Sequence, residues 1–117
     1  GLRGMTRCEI PLLGEGQPPE SYTVRLYFAA LENDKAGQRV FDVKLQDNTV
    51  LKGFDIVASS GGAKRAHVAE FKNIPVTNHL VIEMVSTQAG ADHQPLLNGI
   101  EILRANAKEI KEQVAGR

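Results

Sequence analysis

Along residues 21–28 the chain alternates with a period of two. Tyr22, Val24, Leu26 and Phe28 share one face, and Thr23, Arg25 and Tyr27 share the other. Such alternation marks a strand with one buried face. Residues 39–45 repeat it, with Phe41, Val43 and Leu45 opposed to Asp42 and Lys44. Asp47-Asn48 comes next, and both residue types tolerate positive φ. This predicts a two-residue hairpin turn leading into Val50-Leu51. Further strand runs lie at 54–58, 66–71, 79–86 and 98–104. Within 79–86, Leu80, Ile82 and Met84 alternate with Val81, Glu83 and Val85, which predicts a strand covered on both faces. Gly61-Gly62 and Thr77-Asn78 supply turns between the runs. Short strands at this spacing, with no helical pattern between them, predict an antiparallel sandwich or barrel and exclude a parallel α/β fold.

Two segments depart from the pattern. Residues 14–20 hold Gly14, Gly16, Pro18 and Pro19, so they form a loop entering the first long strand. Residues 106–115 read as a short helix: Asn106 suits the N-cap, Glu109 follows three residues on, and Gly116 stops it. Its apolar face is little more than Ile110 and Val114, so 105–117 is expected to be a helical tail or linker behind a domain spanning 1–104.

Composition narrows the function classes. A length of 117 residues fits one domain, and 14 basic against 14 acidic residues leave no net charge. That balance argues against nucleic acid and against an anionic membrane surface as partners. No apolar run approaches the ~20 residues of a membrane span. The chain opens Gly-Leu-Arg-Gly and first reaches Met at position 5, so a processed product or a fragment is expected. Cys8 is the single cysteine, which leaves no internal disulfide and reads as a structural thiol. His67, His79 and His93 show no metal-ligand spacing, and Ser59-Ser60-Gly61-Gly62-Ala63-Lys64 lacks the spacing of a phosphate loop. Asp42 and Asp55 alternate with core positions and read as solvated sheet residues. No serine elbow is present either. The sequence therefore predicts neither catalysis nor a metal or cofactor.

A family resemblance runs through the same segments. Tyr22-Thr-Val-Arg-Leu-Tyr-Phe-Ala29, Gly37-Gln-Arg-Val-Phe-Asp-Val43, Val50-Leu-Lys-Gly-Phe-Asp-Ile-Val57, Glu70-Phe71-Lys72 and Asn98-Gly-Ile-Glu-Ile102 occur in one order. Together they resemble a malectin, or di-glucose-binding, domain of the type appended to large bacterial proteins, here without its amino-terminal strands. The resemblance implies an all-β, antiparallel β-sandwich of jelly-roll type, followed by the short C-terminal helix. It also implies a non-catalytic module that binds oligosaccharides through loops at one end of the sandwich, outside the cytoplasm and within a larger protein.

Sugar binding needs a ring to stack on a pyranose and carboxylates or amides to hold its hydroxyls. Where the family's lectin prototype carries an aromatic pair, this chain has Glu32 and Asn33. The family's acidic position matches Asp92, followed by His93 as a stacking face, and Tyr27 is the remaining candidate platform. The expected site is therefore Glu32 and Asn33 on loop 30–38, Asp92 and His93 on loop 87–97, and Tyr27 on the strand 21–28. The alternative is a structural or protein-interaction module, joined to other domains or to a second copy through an exposed strand edge.

Overall fold

The computed structural model describes residues 5–61, 65–88, 90 and 93–105. Seven strands and one short helix succeed one another: β1 (Met5–Pro11), β2 (Glu20–Ala29), β3 (Val40–Leu45), β4 (Asn48–Asp55), α1 (Ile56–Ser60), β5 (Ala66–Val76), β6 (His79–Ser86) and β7 (Gly99–Arg104). They build two antiparallel sheets, ordered β1-β6-β3-β4 and β5-β2-β7. The sandwich expected from the alternation is the fold found. The expected helix over 106–115 lies outside the described residues.

Alternation aims the core. Tyr22, Val24, Leu26 and Phe28 of β2 face Phe41, Val43 and Leu45 of β3 and Leu80, Ile82 and Met84 of β6, all buried. Phe28, Phe41 and Phe54 meet across the two sheets with ring centroids 4.7–5.9 Å apart. The separations and tilted planes match the favoured geometry of aromatic pairs. His67 closes the cluster from β5, its ring 5.3 Å from that of Phe54.

Three local expectations need correction. The β3–β4 turn is Gln46-Asp47 rather than Asp47-Asn48, with φ of 52° and 67°. Tertiary hydrogen bonds select this register: Gln46 Nε2 donates to the carbonyls of Pro75 and His79, and its Oε1 accepts from the Val81 amide at 2.6 Å. The run 54–58 is not one strand. Asp55 ends β4 and caps α1 by accepting from the Ala58 amide, and Gly61 stops the helix at φ 85°. Finally, β6 is buried on one face only. Val81, Glu83 and Val85 point outward and are half-buried because β1 and β3 flank them.

One irregularity shapes the smaller sheet. Between Tyr22 and Val24 a bulge sets one residue of β2 against two of β5, and Asn73 absorbs it at φ 60°. Asparagine tolerates that conformation far better than a β-branched residue would.

Candidate functional site

The loops joining β2 to β3 and β6 to β7 lie together at one end of the sandwich. Each is first folded on itself. Asp34 Oδ2 accepts from the Leu31 amide at 2.9 Å while the Asp34 amide donates to the Leu31 carbonyl. A second turn, Lys35 to Gln38, passes through Gly37 at φ 83°. There the Gly37 amide donates to Asp55 Oδ2 at 2.6 Å, tying the loop to the start of α1. Asp55, read from sequence as a solvated sheet residue, thus caps a helix with one oxygen and anchors a loop with the other.

Cross-links between the loops come from Arg39 and His93. Arg39 Nε donates to Asp34 Oδ2 at 2.7 Å, and Nη1 donates to the Gln94 carbonyl at 3.0 Å. Both side chains of this ion pair are more than nine-tenths buried. His93 Nδ1 lies 2.6 Å from the Gln38 carbonyl, which can only accept, so this nitrogen carries the proton. Ser86 Oγ sits 2.6 Å from the Gln88 carbonyl and 2.7 Å from that of His93, closing the second loop from inside. At the loop's far end Asn98 Oδ1 accepts from the Ala29 amide, and the Asn98 amide donates to the Tyr27 carbonyl.

The expected site residues separate into two places. Glu32 and Asn33 are exposed on the first loop, and His93 stands on the second, so the structure brings these three to one rim. Asp92 lies outside the described residues. Tyr27 is elsewhere: it faces outward from the β5-β2-β7 sheet, and its hydroxyl donates to Glu101 Oε1 at 3.0 Å. Sequence reasoning missed Asp34, Arg39, Asp55 and Ser86, which hold the rim without being exposed on it. None of the six phenylalanine and tyrosine side chains stands on the rim, and Leu31, 54% exposed, is its most exposed large apolar group among the described residues. Among the described residues no group of acids, histidines or cysteines is placed to hold a metal ion, and no helix is long and apolar enough to cross a membrane.

Charge on the outer sheet face is ordered around Glu101. Arg25, first, and Tyr27, second, hold its carboxyl below the usual carboxylate range. That contribution is present above the ordinary carboxylate pKa and disappears as pH falls through the lowered value. The same bond raises the Tyr27 phenol, so its part is intact below the ordinary tyrosine pKa and lost as pH rises through the raised one. In a Tyr22→Phe background, absorbance titration is expected to find Tyr27 ionising above ~10, and Glu101→Gln should bring it down. A midpoint unmoved by Glu101→Gln would contradict the bond.

Comparison with known proteins then identifies the architecture. The model of the malectin domain matches residues 9–100. The chain belongs to the malectin family. A nodulation receptor kinase of Pisum sativum is 38% identical to this malectin domain over 100 residues, covering 85% of the chain and 10% of the relative. Receptor-like protein 4 of Arabidopsis thaliana is 30% identical over 104 residues, covering 85% of the chain and 16% of the relative. The malectin domain therefore spans between a tenth and a sixth of these curated relatives.

Among solved structures, a chain in the crystal structure of plant peptide RALF23 in complex with FER and LLG2 is similar at TM-score 0.72 and 23% identity. The match covers 88% of the domain and 28% of the solved chain. The ANXUR1 extracellular domain from Arabidopsis thaliana gives TM-score 0.71 and 17% identity, with the same coverages. At these identities the likeness shows the fold alone. The malectin domain is non-catalytic. Two finer expectations gain no support. These relatives are plant proteins rather than bacterial, and the family match, beginning inside β1, does not point to lost amino-terminal strands.

Proposed function

We propose that this malectin domain is a recognition module in the extracytoplasmic part of a larger receptor-like protein, and that the rim of loops 30–38 and 87–97 is its binding end. The cross-loop linkage through Arg39 and His93 carries the reading. A rim fixed in advance loses less conformational entropy when it binds. Its exposed side chains include Leu31, Glu32, Asn33, Lys35, Thr87 and Gln88, one large apolar anchor among charged and hydrogen-bonding groups. This chemistry suits a peptide or protein segment better than a sugar, because no phenylalanine or tyrosine ring stands there to stack on a pyranose and the His93 imidazole is a smaller platform. Support also comes from the company the domain keeps: its curated relatives are receptor proteins, and one structural neighbour was crystallised with a peptide.

A second reading, oligosaccharide binding at the same rim, is favoured by the polar composition of both loops. Asp92, Asn33 and Glu32 would then hold sugar hydroxyls and His93 would provide the stacking face. Hydrogen bonding without a good platform sets the expected dissociation constant near ~0.1–1 mM. Other domains of the parent, or a second copy, would meet the module at the free edges of β1, β4, β5 and β7.

Selection from a random peptide-phage library tests the first reading. Enriched peptides are expected to lose binding when Glu32, Asn33 and Leu31 are together changed to alanine. Peptides that bind the triple variant unchanged would contradict the assignment of the rim. Binding of maltotriose or cellotriose in the same competition, with no peptide enriched, would favour the second reading instead.

A further inference from the structure

A second surface lies on the outer face of the β5-β2-β7 sheet. Val68, Tyr27 and Gly99 stand side by side across its three strands, and Glu70, Arg25 and Glu101 form the next row. Gly99 leaves room beside the tyrosine: a Cβ there would sit 3.7 Å from Tyr27 Cδ1. The Tyr27 hydroxyl reaches Glu101, two residues farther along β7. These two contacts direct the ring along β7, and Tyr27 stays half-buried on the outer face of the sheet. Val68, 47% exposed, flanks it.

The charged row is unbalanced. Arg25 donates through Nε to Glu70 Oε2 at 2.6 Å and through Nη1 to Glu101 Oε1 at 2.8 Å. Tyr27 uses the same Glu101 oxygen. Glu101 Oε2 and Glu70 Oε1 therefore take no hydrogen bond from the described residues, and both side chains are more than a third exposed. Two carboxylates against one guanidinium leave the row with one negative charge. An aromatic face beside spare carboxylate oxygens is complementary to a cation with N–H donors.

We propose that this face binds a cationic side chain, an arginine or lysine of a basic peptide segment, stacked on Tyr27 and held by Glu101 and Glu70. The surface is built wholly on three paired strands, and none of its side chains belongs to the rim loops. Backbone and ring are positioned before the ligand arrives. A neutral sugar would use the oxygens but not the charge, and an acidic peptide would be repelled.

Amide NMR titration of the domain with acetyl-Gly-Arg-Gly-Arg-Gly-amide tests this, with the matching glutamate peptide and cellotriose as comparisons. The arginine peptide is expected to shift the amides of Tyr27, Val68, Gly99 and Glu101, weakly at low salt and less at high salt. Tyr27→Ala should weaken binding roughly tenfold, whereas Tyr27→Phe, which keeps the ring, should stay within about twofold. Glu101→Gln should weaken binding and flatten its salt dependence. Unchanged amide positions around Phe41 and Val43 in each variant show that the fold is kept. No shift on this face at about 10 mM arginine peptide, or an equal response to the glutamate peptide, would overturn the proposal. A response to cellotriose alone would also overturn it and make the face a sugar surface. Shifts confined to 30–38 and 87–98 would overturn it too, while leaving the rim assignment standing.

Discussion

Phe41→Ala is expected to lower the stability of the fold by about 3–5 kcal/mol. Phe41 is fully buried, and its ring contacts those of Phe28 and Phe54, so truncation opens a cavity where the two sheets meet. Phe54→Ala should cost a similar amount, toward the lower end because Phe54 retains slight exposure and touches the half-buried His67. Denaturant melts check both variants: the midpoint should fall while the slope is unchanged. A loss below about 1 kcal/mol would mean that these rings are not the centre of the core.

Asp34→Ala should be comparably severe, though Asp34 lies in a loop. Removing its carboxylate takes the Asp34 charge away from the buried Arg39 guanidinium and releases the Leu31 amide. Breaking one side of such a pair costs about 3–5 kcal/mol, chiefly from the stranded charge. Replacing both partners, Asp34→Leu with Arg39→Met, should recover much of that loss because no charge stays buried. The double variant nevertheless gives up the link to Gln94, so hydrogen exchange in loops 30–38 and 87–97 should quicken even where global stability returns. Equal losses in the single and double variants would show that the charge is not the cause.

The strands were readable because their core is built from period-two alternation that tertiary structure does not override. Residues 79–86 were placed without error, and 21–28 grew by one residue at each end. The hairpin turn slipped by one because Gln46, an unremarkable turn residue, is fixed by carbonyls and an amide from β5 and β6. No local pattern carries that information. Helix α1 was hidden by Ile56 and Val57, β-branched residues that continue a strand pattern, and five residues are too few to show a helical period. Asp55 and Gly61 were visible as cap residues, and their six-residue spacing was the signal available.

The contact between the two loops was legible in outline only. Polar composition marked both loops, and the structure places them side by side. The staple between them could not be read, since Arg39 meets Gln94 across 55 positions of sequence. Alternation put Tyr27 on the outer face, as found, but its bond to Glu101 depends on β7 pairing beside β2.

The central claim is that the rim of loops 30–38 and 87–97 meets the ligand. It is tested most directly by an amide NMR shift map of the labelled domain with the peptide most enriched in phage selection. The largest shifts are expected at Leu31, Glu32, Asn33, His93 and Gln94. Shifts concentrated at the opposite end, around Gln46, Asp47, Thr77 and Asn78, would contradict the account.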